Sequence, residues 1–192
     1  MKTATALLGA ALLLSACANT PPGAPPSQNL RPVETITSAP VADPAAVRWM
    51  DGFCAAVHGY RERTNREAEV AQPTPGSVDE SQKALSASLG GIAARTGETV
   101  DKLTALPPAP VPLGDTVRQA FVTKFTKARD RAAEAKTTFD RAKPGNEASQ
   151  VSAVKAVKEA QQDVDGTYDP VGAVAASPEL MLAATAAPGC KA

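Results

Sequence analysis

Proline limits the folds open to this chain more than any other residue type. Its ring removes a backbone donor and clashes with the preceding helical turn, so a proline inside a helix kinks or ends that helix. The chain has 17 prolines, and most of those after residue 44 gather at four breaks, namely 72–76, 107–112, 144–145 and 169–170. The segments between the breaks are long enough for one helix each, and they show no alternating strand pattern of useful length.

Capping residues indicate where these helices begin. Asp43 before Pro44 places a capping carboxylate ahead of a proline at the first helical position, where a missing N–H costs nothing. Ser77 followed by Glu80 forms a capping box. We therefore predict helices over about 44–71, 77–106, 113–143 and 146–168, and a short fifth helix from about residue 178.

Within each predicted helix, apolar residues recur three and four positions apart, which is the spacing of one helix face. Many of these residues are small, because the chain has 39 alanines and seven aromatic residues. The core must therefore be thin. Along the fourth helix the pattern predicts a buried face made of Val151, Val154, Val157, Val164 and Tyr168.

The segments together predict an all-α fold, with four long helices in an antiparallel bundle and a short C-terminal helix, because the connections between the helices are short. This bundle domain would occupy residues 44–192. Residues 18–43 precede it with six prolines and few large apolar side chains, so they cannot bury enough surface to fold. We expect a disordered tether that could reach about 80 Å if fully extended at about 3.1 Å per residue.

The first seventeen residues have the pattern of an export signal. Lys2 supplies a positive charge, and the eleven residues 4–14 that follow carry none. A transmembrane helix needs about 20 apolar residues, so this run is too short to remain as a membrane span. Its end at small residues is typical of a secretory signal.

The four residues Leu14, Ser15, Ala16 and Cys17 resemble the lipobox of bacterial lipoproteins. The resemblance implies that a diacylglyceryl group is attached to the Cys17 sulfur and that residues 1–16 are then removed as a signal peptide. Two acyl chains give firm anchoring where one would be marginal. The protein would thus be lipid-anchored at the extracytoplasmic face of the cell membrane, with 17–43 as its lipidated N-terminus and tether. The alternatives are an ordinary cleaved signal with an incidental cysteine and an unprocessed hydrophobic N-terminus.

Two cysteines remain once Cys17 is lipidated, namely Cys54 and Cys190. An even pair in an exported chain usually forms a disulfide, because the compartment is oxidising. The bond would join the first helix to the C-terminal end of the chain. A redox-active or metal-binding thiol is the alternative, although the chain has no C-x-x-C motif.

Motifs for catalysis, metal binding and nucleic-acid binding are scarce. His58, the single histidine, lies four residues after Cys54 and shares its helix face, but a structural zinc needs four ligands. The chain has no G-x-S-x-G elbow and no phosphate-binding loop motif. With 20 basic and 20 acidic residues it also lacks the excess positive charge of a nucleic-acid binder. We expect no enzyme activity, no cofactor and no metal.

A charged stretch near the end of the first predicted helix could provide a contact surface. Arg61, Arg63 and Arg66 could bind an anionic cell-wall polymer or a partner protein, although their alternation with Glu62 and Glu67 is typical of a solvated face. We predict a non-catalytic binding or scaffolding module of the cell envelope. The composition, rich in alanine and proline, loosely resembles small uncharacterised lipoproteins of high-GC actinobacteria, a likeness that implies no functional residues.

The alternative function is a carrier that holds a small apolar ligand or lipid between its helices. Such a carrier needs a pocket of several hundred Å³. Aromatic side chains would form the pocket walls, although in a helical protein they belong more often to the core. The candidates are Trp49, Phe53, Phe121, Phe125 and Phe139.

Overall fold

The computed structural model describes residues 40–70 and 75–191, so the predicted signal peptide, the lipobox Leu14 to Cys17 and residues 18–39 of the predicted tether lie outside the described residues. No strand occurs in the described ranges, and the all-α prediction is confirmed. Residues 39–192 form one compact unit. Its α-helices are α1 (Pro44–Glu69), α2 (Val78–Thr104), α3 (Pro112–Asp140), α4 (Glu147–Asp163) and α5 (Pro178–Ala186), with short 3-10 turns at Gly172–Val174 and Pro188–Cys190.

The helices begin where the capping residues predicted. The Asp43 carboxylate accepts hydrogen bonds from the backbone N–H groups of Ala45 and Ala46 at 2.7 and 2.9 Å, which satisfies two donors of the first turn of α1. At the start of α2, Ser77 accepts from the Glu80 N–H at 3.2 Å, and the Glu80 carboxylate accepts from the N–H of residue 76 at 2.7 Å. These local bonds fix the helix starts without help from other helices.

Each of the first three long helices packs antiparallel to the next long helix along the chain. The ion pairs between α1 and α2 follow one another in opposite order along the two helices, and Ser86 near the start of α2 meets Asp140 at the end of α3. The ion pairs between α3 and α4 are in opposite order as well. The closest association is between α2 and α3, and both α1 and α4 pack against this central pair.

Aromatic side chains from α1 and α3 fill the centre of the unit. Phe53 stacks on Trp49 with ring centroids 5.0 Å apart and meets Phe121 at 5.1 Å. One turn further along α3 and two turns further along α1, Tyr60 packs edge-on against Phe125 at 4.9 Å. Alanines dominate the interface between α3 and α4 instead, so those helices approach closely and the core there is thin, as predicted.

The predicted buried face of α4 is wrong in part. Val151 and Val154 are 62% and 57% exposed, and the buried residues inside α4 are Ala153, Ala156 and Ala160. Apolar residues cover two sides of this helix, and only the side with the smaller residues fits against its closely packed neighbours.

α4 also ends about five residues earlier than predicted. Gly166 has a φ of 77°, in the left-handed region that favours glycine, so the chain turns there and Tyr168 lies beyond the helix. Tyr168 is exposed, in contrast to its predicted place on the buried face, whereas Val164 just after α4 is buried as predicted.

The C-terminal segment is clasped to α1. Cys54 and Cys190 form a disulfide, with an S–S distance of 1.97 Å. The Gly189 N–H donates to the Asp51 carboxylate at 2.6 Å, and His58 Nδ1 lies 2.9 Å from the Gly189 carbonyl oxygen. A Cβ atom at Gly189 would lie 2.5 Å from the Asp51 carbonyl oxygen, so only glycine fits. Asp51, Cys54 and His58 share one face of α1, so the single histidine helps to hold the C-terminal segment against this helix.

Candidate functional site

A shallow cavity of about 270 Å³ lies where the last turns of α1 pack against the middle of α2. We call it the arginine cleft. Arg63, Arg66, Glu67 and Val70 line it from the α1 side, and Arg95 lines it from α2. Because residues three and four apart share a helix face, α1 directs its three side chains to the same opening, and Val70 follows directly after the helix.

Arg95 forms the inner wall of the arginine cleft. Its side chain is only 12% exposed, and its Nη1 lies against the Glu67 carboxylate. Arg95 also lies close to the buried phenol of Tyr60. Burial raises the pKa of Tyr60, while the hydrogen bond with Thr64 and the positive charge of Arg95 act in the opposite direction. A guanidinium group is therefore held partly out of water at the base of the cleft.

Several guanidinium nitrogens in the arginine cleft lack hydrogen-bond partners among the described residues. Arg63 donates from Nη1 to Glu98 at 3.0 Å, but its Nε and Nη2 are buried and make no hydrogen bond there. Arg95 pairs with Glu67 through Nη1, but its Nε is buried and makes no hydrogen bond in the described residues either. Buried donors without acceptors cost free energy, and buried polar groups in proteins are nearly always paired.

Carboxylates surround the arginine cleft, so its formal charge is balanced. Arg66 pairs with Glu62 at 2.6 Å, and Glu98 receives both Arg63 and Lys102. The hydrogen bond from Lys102 lowers the pKa of Glu98, and the charge of Arg63 adds to this effect against the opposing desolvation. The cleft therefore offers directed donors in place of a strong positive field.

The structure brings two of the three predicted contact residues together. Arg63 and Arg66 line the arginine cleft, but Arg61 lies about 200° around α1 from Arg63 because each residue turns the helix by about 100°. The third arginine of the cleft is Arg95, which the sequence did not single out. Nothing in the sequence near Arg95 marks it, since it meets Glu67 only through the packing of α2 on α1.

The predicted aromatic pocket residues lie mainly in the core. Trp49, Phe53, Phe121 and Phe125 are buried and pack against other aromatic rings. Phe139 is also buried, and it forms part of the floor of an open groove of about 430 Å³ between α3 and α4. This groove is otherwise lined by small and polar side chains.

A larger open groove of about 540 Å³ lies between the start of α2 and the end of α3. The polar groups at its centre satisfy one another, since the Asp140 carboxylate accepts from Ser86 at 2.6 Å and pairs with Lys136 at 2.5 Å. Within residues 40–70 and 75–191, no three histidine, cysteine or carboxylate side chains come together as potential metal ligands. None of the helices in these ranges is long and apolar enough to cross a bilayer.

A charge network joins α3 and α4 on another face. The Asp163 carboxylate is nearly buried and receives Arg131 and Lys127, each at 2.7 Å, and Arg131 also pairs with Glu159 at 2.7 Å. Burial by itself raises the pKa of Asp163, but the hydrogen bonds and charges of Arg131 and Lys127 outweigh burial and lower the pKa below its ordinary value. The groups of this network satisfy one another, so we assign it a stabilising role.

We expect Asp163→Asn to lower the free energy of unfolding by about 1 to 2 kcal/mol at neutral pH, because charge-assisted hydrogen bonds to Arg131 and Lys127 are lost. A lowered folded-state pKa stabilises the fold above the unfolded pKa of about 3.9 and ceases to do so as the pH falls through the folded value. Urea unfolding should therefore show the difference between variant and wild type shrinking below about pH 4.

Asp130→Asn is the matched control. Among the described residues, Asp130 pairs only with its exposed neighbour Arg129, so this variant should change stability by less than about 0.5 kcal/mol. An equal effect of the two variants at neutral pH, or an Asp163→Asn effect that grows as the pH falls, would contradict the assignment.

No protein-family model, no curated protein and no solved structure matches this chain. Of the described features, the arginine cleft combines a concave shape with side chains whose donors are not all satisfied by the described residues. It is the candidate functional site.

Proposed function

We propose that the protein is a bacterial lipoprotein, held by Cys17 at the extracytoplasmic face of the cell membrane, and that it acts as a non-catalytic binding or scaffolding module of the cell envelope. Residues 18–43 form its tether, and the four long helices act together as an antiparallel bundle. The observation that carries the proposal is the run of Leu14, Ser15, Ala16 and Cys17 directly after eleven uncharged residues.

The disulfide between Cys54 and Cys190 supports this proposal. Disulfides persist in oxidising compartments and are rare in the cytosol. The bond is built into the fold, since Gly189 beside it forms two further hydrogen bonds with α1. A fold that uses a disulfide to hold its last segment is suited to an exported protein.

The arginine cleft supports the binding role. Arg63 lies nineteen residues after Pro44, where the tether joins α1, which corresponds to about 30 Å along the helix. A partner protein or an anionic polymer can therefore be contacted at the opposite end of α1 from the tether. The guanidinium donors of Arg63, Arg66 and Arg95 would recognise this protein or polymer.

The anchor is tested by the Cys17→Ala variant. We expect the full chain to enter the membrane fraction of bacterial cells and to incorporate a fatty-acid label, because two acyl chains bind a bilayer firmly. The Cys17→Ala variant should incorporate no label and should retain residues 1–16.

Ala18→Ser is the matched control, since it lies next to the anchor and should keep both label and cleavage. Mass spectrometry that finds an intact, unacylated chain beginning at Met1 in the wild type would refute the proposal. Crosslinking in the same cells, compared between wild type and Cys17→Ala, identifies the partner that depends on anchoring.

The carrier function remains a second hypothesis with one observation in its favour, the groove of about 430 Å³ that includes Phe139. Its size falls in the range of small-molecule sites, but such sites are lined mainly by apolar and aromatic groups. Most of this groove is formed by the small side chains of alanine and serine, and Phe139 is the one aromatic residue among those that line it. Fluorescence titration with a lipid-like dye, repeated on a Phe139→Ala variant, distinguishes the two functions.

A further inference from the structure

We infer that the arginine cleft binds a phosphate group, with Arg95 and Arg63 as its main donors and Glu67 as the carboxylate that the ligand displaces. This inference rests on the binding role proposed above and names the chemistry of the ligand. A free phosphate and a phosphodiester of a cell-envelope polymer share this chemistry.

The arginine cleft contains buried donors that the described residues do not satisfy. Nε and Nη2 of Arg63 and Nε of Arg95 make no hydrogen bond in the described part of the chain, and all three belong to guanidinium groups at the same cleft. A charged donor that is removed from water needs an acceptor, and a charged acceptor satisfies it best. A ligand with several oxygen atoms would meet this need.

The cleft already holds one carboxylate, which bears on the choice between phosphate and carboxylate as the ligand. Guanidinium groups bind both in a bidentate manner. Glu67 pairs with Nη1 of Arg95, and yet Nε of Arg95 and two nitrogens of Arg63 remain without a hydrogen bond in the described residues. A tetrahedral phosphate presents more acceptor oxygens than a carboxylate, in directions that can reach Arg63 and Arg95 together.

The outer side chains of the arginine cleft can move. The side chains of Glu67 and Arg66 are 60% and 67% exposed, and both lie in the last turns of α1. Exposed ion pairs such as Arg66 with Glu62 contribute little to stability, so Arg66 can leave Glu62 for a ligand at low cost. When Glu67 swings outward, three guanidinium groups face the cavity, and Glu62 and Glu98 remain outside the group that lines it.

The test is an NMR titration of the full, ¹⁵N-labelled chain that follows the arginine Nε–H resonances at constant ionic strength. The probes are inorganic phosphate, poly(glycerol phosphate) and acetate. We expect saturable shifts with phosphate at Arg95 and Arg63. Acetate should bind at least about tenfold more weakly, because it offers fewer acceptors.

Three variants sharpen the test. Arg95→Gln should weaken phosphate binding at least about tenfold through loss of a bidentate charged pair. Glu67→Gln should strengthen it about fivefold, because a competing negative charge is removed next to the ligand. Arg48→Gln is the matched control, since Arg48 is exposed on the same helix, about 22 Å before Arg63 along the axis, and should leave binding unchanged.

Arg66→Gln covers the case in which Arg95→Gln fails to fold, because Arg66 is exposed and its replacement should weaken phosphate binding without unfolding the chain. Tighter binding of poly(glycerol phosphate) than of free phosphate would assign the ligand to a polymer, and the reverse would assign it to a soluble phosphate. Each of these two results supports the inference.

Equal binding in Arg66→Gln and Arg48→Gln, weaker binding in Glu67→Gln, or a preference for acetate would overturn the inference. So would the absence of shifts with both phosphate probes. If the cleft binds no phosphate while anchoring and crosslinking at the membrane still depend on Cys17, the ligand class is wrong and the proposed function stands. If anchoring fails while the cleft binds phosphate, the proposed function is wrong and the ligand class stands.

Discussion

Removal of the Cys54–Cys190 disulfide is expected to lower the free energy of unfolding by up to about 5 kcal/mol. The two cysteines are 136 residues apart in sequence, and a cross-link over so long a loop removes much of the conformational entropy of the unfolded chain. Total stabilities of small proteins are about 5 to 15 kcal/mol, so the reduced protein should be close to unfolding at ambient temperature.

Urea unfolding of the wild type with and without a thiol reductant measures this effect, and a Cys54→Ser, Cys190→Ser double variant repeats it without a reductant. The double variant should respond to reductant with no change in midpoint, which separates the disulfide from other effects of the reagent. Equal unfolding midpoints of oxidised and reduced wild type would contradict the prediction.

Gly189→Ala provides a second comparison at the same clasp. A Cβ atom there collides with the α1 backbone at Asp51, so we expect the turn to shift and both hydrogen bonds of Gly189 to weaken, with the disulfide still closed. Its effect on stability should therefore be smaller than that of reduction, because the chain-entropy contribution remains.

Truncation of the central aromatic ring, Phe53→Ala, should cost about 3 to 5 kcal/mol. Phe53 is fully buried and packs against Trp49 on its own helix and Phe121 on α3, so its loss leaves a cavity that close-packed helices cannot fill. Urea or thermal unfolding measures the change. In a core with so few large side chains, no neighbouring residue can move into the space.

Val154→Ala is the control for this substitution. Val154 is exposed on α4, so its truncation should change stability by less than about 0.5 kcal/mol. Comparable losses in the two variants would contradict the assignment of Phe53 to the core and of Val154 to the surface. A Phe53→Ala protein with near-normal stability would instead favour the carrier hypothesis, in which this ring faces a ligand.

The helices themselves could be predicted from the sequence because their boundaries depend on local chemistry. Asp43 and Ser77 cap their own first turns, and the structure places the start of each helix at or next to the predicted position. The predicted end of α4 is wrong. The apolar pattern continues from Val164 to Tyr168 on either side of Gly166, but the left-handed turn at this glycine carries the chain away from the helix.

The arginine cleft illustrates the opposite case. Arg61, Arg63 and Arg66 are close together in sequence, but Arg61 lies on another face of α1 than the other two, because each residue turns the helix by about 100°. Arg95 could not be found in this way, since it is separated from Glu67 by 28 positions and meets it only where α2 returns along α1.

The order of prolines, caps and cysteines along the chain thus determined that it folds into helices, where most of these begin, and which two sulfur atoms would be joined. The helix signals act within a few residues, and the prediction of the disulfide depends on setting Cys17 aside as the predicted lipidation site. Which face of α4 is buried, and which guanidinium groups share a cleft, only the tertiary structure decided. Both depend on what the adjoining helix presents at each position, and periodicity along one helix carries no information about its neighbour.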